Sequence, residues 1–215
     1  MRLEWDKIGE RLYETGVDKG VLYPFSESGK YASGVAWNGL SAVNESPSGG
    51  EPTPLYANNG KYVILMSAEE LGLTIEAYTY PKEFEECDGS AEISDGVIIG
   101  QQDRKHFGFC YRTLIGNDQE GNNHGYKIHL VYDCVASPSD KTRSSVNDSP
   151  DVSPFSWSVS TTPIAVDGHK PSATLTIDST VIPKDKLKKI EDKLYGTVSE
   201  QPTLPSPSEI LELLK

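Results

Sequence analysis

The sequence lacks long apolar runs, an excess of basic residues and every compact catalytic signature. No stretch approaches the roughly 18 consecutive apolar residues of a membrane-crossing helix. Cysteine is scarce: Cys87, Cys110 and Cys134 form an odd, widely spaced set with no CxxC pair. They read as buried reduced thiols rather than a disulfide framework or a zinc site. The four histidines, His106, His124, His129 and His169, show no HxxxH spacing and have no cysteine near enough to complete a zinc set. There is no GxSxG elbow and no phosphate loop with its lysine. The start, "MRLEWDKIGERLYE", is charged throughout and has no apolar h-region, so no secretory signal is expected, and synthesis is expected in the cytoplasm. Lys plus Arg number 20 against 32 Asp plus Glu, a net charge of −12, which excludes binding nucleic acid by neutralising phosphates over the whole surface.

What is present is alternation of period two. In "FSWSVST", Phe155, Trp157, Val159 and Thr161 face one way and three serines the other. In "HGYKIHLVYDCV", Tyr126, Ile128, Leu130, Tyr132 and Cys134 share a face opposite Lys127, His129 and Asp133. "HFGFCYRTLI" groups Phe107, Phe109, Tyr111 and Ile115, "LGLTIEAYTY" groups Leu71, Leu73, Ile75 and Ala77, and "SATLTID" groups Ala173, Leu175 and Ile177. Each pattern predicts a half-buried antiparallel strand with one wet face. "KYVILMS" is almost wholly apolar and predicts a strand buried on both sides. The Gly, Asn and Asp of 115–125 mark a hairpin turn, and the polar, proline-broken segment 137–154 marks a loop. The fold class is mainly β: an antiparallel sandwich or barrel.

Helices are few. "PKEFEECDG" at 81–89 predicts two turns, with Pro81 at the start and Gly89 past the end. Leu187, Ile190 and Leu194 recur at helical spacing between Pro183 and Gly196, predicting one flanking helix. A linker follows, and then "SPSEILELLK", a short C-terminal helix with the capping box Ser206–Glu209. So short a helix must dock on its own chain or on another. The organisation is a β domain over 1–196, with a long structureless loop at 44–60, and a linker with docking helix over 197–215. The prolines and glycines of the loop keep it out of a sheet interior.

Weaker constellations favour ordinary readings. "SPSGGEP" offers consecutive glycines for an anion nest, but two glutamates flank them and no helix follows. Glu83, Glu85 and Glu86 read as a wet charged face rather than an acid–base pair. "GNDQEGN" lacks the spacing of a calcium loop. Lys184, Lys186, Lys188, Lys189 and Lys193 are interleaved with acids and read as a solvated helix face. No cofactor and no metal is expected.

Several runs carry a family resemblance: "GVDKGVLYP", "AWNGLSAVNESPSGGEPTPLYANNGKY", "EAYTYPKEFEECDG", "IGQQDRKHFGFCYRTLIGND", "GYKIHLVYDCVASPSDKTRSSVNDSPDVSPFSWSVSTTP" and "LPSPSEILELL". In order and spacing, from about residue 11 to the C-terminus, they resemble the major tail proteins, or tail tube proteins, of long-tailed bacteriophages with a non-contractile tail. No C-terminal immunoglobulin-like domain of the kind some members carry is seen. The resemblance implies a structural virion protein, not an enzyme, with a β-sandwich flanked by a helix. Six copies close a ring, and rings stack into a tube assembled in the host cytoplasm. The tape measure protein occupies the lumen, tail terminator and distal tail proteins close the tube ends, and genomic DNA passes through without specific binding. No membrane insertion is implied.

The residues suit that picture. Polar sheet faces could line a wet channel, ring closure would remove edge strands, and about −70 of charge per ring would repel phosphates. The expected inter-subunit contacts are Asn44, Glu45, Pro47, Gly49, Gly50, Glu51, Pro52, Leu55 and Tyr56 in the loop, and Ile210, Leu211, Leu213 and Leu214 in the last helix. The expected lumen-lining residues are Glu76, Arg112, Lys127, His129 and Asp133. The alternatives are a tail-completion or distal tail ring protein, and a carbohydrate-binding sandwich using Trp37, Tyr78, Tyr80 and Trp157. An enzyme would need His129, Asp133 and Arg112 to meet in one pocket.

Overall fold

A computed structural model describes residues 2–26, 29–143, 145 and 152–215. Ser144 and residues 146–151 of the proline-broken loop lie outside the described residues. The strands in chain order are β1 (Tyr13–Pro24), β2 (Val35–Trp37), β3 (Leu40–Gly49), β4 (Pro52–Ala57), β5 (Gly60–Met66) and β6 (Glu69–Ala77), then β7 (Ala91–Ser94), β8 (Val97–Ile99), β9 (Phe107–Asn117), β10 (Gly121–Ala136), β11 (Phe155–Thr161) and β12 (Thr174–Asp178). Two helices follow, α1 (Lys184–Tyr195) and α2 (Pro207–Leu213). The chain is mainly β and antiparallel, with one flanking helix and one short C-terminal helix.

The main sheet runs β2-β1-β9-β10-β11-β6-β3, with β12 also on β10. Its two ends are consecutive in sequence. β2 pairs with β1, β3 pairs with β6, and only Asn38–Gly39 separates them. Both run in the same direction, so β2 and β3 are one strand bent between the two edges, and the sheet curls into a barrel. Gly39 makes the bend at φ 73°, where a Cβ would press on the Thr79 side chain at 3.1 Å.

The alternation then sorts residues into two cores. Inside the barrel, Leu22, Trp37, Leu73, Ile75, Phe107, Phe109, Trp157 and Val159 pack together. Trp37 and Trp157 meet edge to face, with ring centroids 5.6 Å apart. Outside it, Val21, Tyr23, Cys110, Ile128, Leu130 and Tyr132 pack under Leu187, Ile190 and Leu194 of α1 and Ile210 of α2. The central strands are thus covered on both faces, so their second faces are not wet as expected. Cys134 also changes side. A register shift between Val131 and Cys134, with Asp133 at φ 46°, turns the end of β10 over and puts Cys134 in the inner core.

The segment 81–89 is not a two-turn helix. It forms a 3-10 turn at Lys82–Phe84 that drops Phe84 and Cys87 into one end of the barrel. The loop expected at 44–60 is corrected outright. β3 pairs with β6 through Gly49↔Glu69, and β4 pairs with β5 as a ribbon projecting beyond the barrel. The prolines are tolerated because these strands have open sides. β3 pairs on one side only, and Pro52 and Pro54, two residues apart, leave their missing N–H groups on one side of β4. Asn58 and Asn59, at φ 49° and 61°, make the tight turn.

Candidate assembly surfaces

The three residues that an enzyme would need in one pocket are kept apart. Arg112 lies on the helix side of β9, donating two hydrogen bonds to Asp18 at 2.7 and 2.6 Å and stacking over the Tyr126 ring at 4.9 Å. His129 is on the opposite face. Asp133 is at the far end of β10, 2.5 Å from His106 Nδ1, and its backbone N–H donates to the Tyr31 hydroxyl. His124 sits beside Glu120 at 2.8 Å, and His169 is exposed in a turn. Among the described residues, no group of three His, Cys, Asp or Glu is placed to hold a metal ion.

His129 belongs to a polar plug at the barrel end opposite Phe84. Its ring stacks on Tyr111 at 4.6 Å, and Nε2 lies 2.9 Å from Thr113 Oγ1. Tyr111 donates to Glu45 at 2.6 Å, bridging β9 to β3. Thr113 and Lys127 both donate to Glu14 at 2.6 Å. Burial holds the His129 imidazole below its ordinary pKa, a stronger influence than the opposing pull of Glu45 and Glu14. Burial pushes Glu14 up, but the hydrogen bonds from Lys127 and Thr113 outweigh it and the net direction is down. His129 is therefore largely covered at this end of the barrel, while Lys127 lies half-exposed at its rim, paired with Glu14.

Of the five expected lumen residues, Glu76 stands half-buried on the outward face of β6. Around it lie Ala42, Asn44 and Ser46 of β3, Thr74 of β6, and Ser156, Ser158 and Ser160 of β11. The face is small, hydroxyl-rich and without a Lys or Arg among these residues.

The ribbon is exposed along its whole length, at every residue of β4 and β5. Leu55 pairs with Val63 and Thr53 with Leu65 on one face, while Pro54 pairs with Ile64 and Pro52 with Met66 on the other. Tyr56, Tyr62 and Met66 are each more than two-thirds exposed. "KYVILMS" is thus apolar on both sides, as expected, but bare on both, since the ribbon leaves the body that could cover it. At about 3.3 Å per residue, six residues carry it roughly 20 Å out. A second apolar hairpin, β7–β8, exposes Ile93, Val97, Ile98 and Ile99. The sequence reading missed both. "PLYANNGKYVIL" contained the signal, an Asn-Asn turn followed by glycine between apolar runs; "AEISDGVIIG" contained a two-residue Asp-Gly turn.

The C-terminal helix, expected to dock on its own chain or on another, finds a seat in its own chain. Ile210 is buried, Leu213 and Leu214 are half-buried against the outer core, and only Leu211 is exposed. The capping box is present: Ser206 Oγ accepts from Glu209 N at 3.3 Å, and Glu209 accepts from Ser206 N at 2.7 Å. The arm before it is tied by Gly34 N–H to Pro202 O at 2.8 Å, Tyr132 hydroxyl to Pro205 O at 3.0 Å, and Leu204 lying against Gly108. The aromatics of the carbohydrate alternative are also largely spent on packing. Trp37 and Trp157 are buried, Tyr80 packs on them, and Tyr78 alone is exposed.

No family model matches the sequence, and no curated protein matches it.

Proposed function

We propose that the chain is a self-assembling tail tube subunit, a structural protein of a bacteriophage virion that forms hexameric rings stacked into a hollow tube. The observation that carries this reading is the β4–β5 ribbon, apolar on both faces and covered by nothing among the described residues. A lone two-stranded ribbon is marginal in water, and exposed apolar surface of this kind marks an interaction site. The family resemblance supplies the partner, further copies of the same chain. The open edge of β3 continues the sheet into a neighbouring copy, so that ring closure removes the edge.

The face around Glu76 lines the lumen in this reading. Hydroxyls and the Glu76 carboxylate, without cations among them, give phosphates no place to bind, so DNA slides past the wall. The tape measure protein fills the same channel before ejection, and terminator and distal tail proteins cap the tube ends.

Excision of residues 51–67 tests the assembly role. Gly49 and Glu69 are already paired, so Gly50–Ala68 remains as a two-residue turn with glycine first. The shortened protein should keep its circular dichroism and melting temperature yet make no tubes in negative stain at concentrations where the full chain does. Normal tubes from it would refute the ribbon's role. Single rings from the full chain at high concentration would favour a tail-completion or distal tail component instead.

A further inference from the structure

We infer that the seat for the β4–β5 ribbon is the β7–β8 end of a second copy, so that the contact runs head to tail; this rests on the tube reading. The strand ladders fix the geometry. β3 and β6 give rise to the ribbon at Gly49 and Glu69, the end of the barrel that also carries Tyr13 of β1 and the β9–β10 turn. The β7–β8 hairpin leaves from the opposite end, between Ala77 of β6 and Phe107 of β9, where Pro24 also lies. Its Lys82–Glu92 ion pair, at 2.5 Å, ties it to the 3-10 turn that closes that end.

Two bare apolar hairpins at opposite ends of one molecule are the two halves of a heterologous contact, which repeats from copy to copy without closing on itself. Pairing of like ends would give a closed dimer and leave the other ends bare. Charge selects the same arrangement. Between Pro52 and Met66 the ribbon has one charged residue, Lys61, next to its turn. Beside β7–β8 lies a cleft of about 570 Å³ that is lined by Glu83, Glu85, Glu86 and Glu92 against Lys82 and Lys105. Those two lysines are paired with Glu92 and Glu86, so the cleft carries a surplus of carboxylate toward an arriving lysine. Ribbon on ribbon supplies the apolar burial, and Lys61 in the acidic cleft sets the direction of stacking.

The full-length protein with Tyr56→p-benzoylphenylalanine, irradiated under tube-forming conditions, tests the seat. Cross-linked dimers whose linked peptides join residue 56 to residues 82–105 of another copy are the expected result. Links from residue 56 only to other parts of the chain, or to a second residue 56, would overturn the seat while tubes in the same sample leave the tube reading standing. A full-length protein that never assembles would overturn both. The charge arm is independent: K61E should raise the critical concentration about fivefold, and K61E/E83K should bring it back toward wild type. No change in K61E, or no recovery in the double variant, would refute the role given to Lys61.

Discussion

His129 shows how one residue can look functional in sequence and prove architectural. Strand alternation puts it opposite an apolar row, and that much is legible. Its true neighbours come from β1, β3 and β9: Glu14, Glu45, Tyr111 and Thr113, with Lys127 beside it on β10. None of these is near it in sequence except Lys127, so the plug was beyond any reading of local pattern. The plug has a pH signature. The imidazole is held neutral in the fold, so the unfolded chain binds its proton at higher pH, and stability is lost as pH falls through the ordinary histidine range, roughly 6.5. Glu14 is depressed, so its contribution is full above the ordinary glutamate pKa and is lost as pH falls below about 4.5. The melting temperature should therefore drop in two stages on acidification. H129Q should flatten the first stage and leave the second. A first stage unchanged in H129Q would assign it to other histidines.

At the scale of elements, pattern told strand from helix well and buried from exposed poorly. The alternation of 155–161 and 71–77 gave both the strands and their inward faces. The capping box of α2 and the boundaries of α1 were equally local and equally plain. The ribbon failed because prolines were weighed as breakers when, at open strand edges, they break nothing. Burial of "KYVILMS" failed for a different reason: apolarity states a need for cover, not what provides it. For α2 the cover is in hand, and its stability should show it. I210A should cost the unassembled protein about 2–5 kcal/mol in urea denaturation, while L211A stays within roughly 0.5 kcal/mol. An I210A protein of normal monomer stability that fails to assemble would instead place α2 on a neighbouring copy.

At the scale of the whole molecule, assembly has to overcome like charge. Each chain brings −12 to the contact, and the attraction supplied by one exposed lysine is worth at most about 1 kcal/mol. Burial of two apolar hairpins does not depend on ion screening, whereas the mutual repulsion does, over a Debye length of about 10 Å at 0.1 M salt and 3 Å at 1 M. The balance predicts the sign of the salt effect. Added sodium chloride should lower the critical concentration for polymerisation, steeply at first and then flattening once the repulsion is screened. Lowering the pH toward the pI of about 4.8 should act in the same direction, while the loss of the Glu14 contacts below about 4.5 takes a little stability from the subunit. Light scattering against salt at fixed protein concentration measures the first effect. A critical concentration that rises with salt would mean that ion pairs, not the apolar ribbons, hold the copies together.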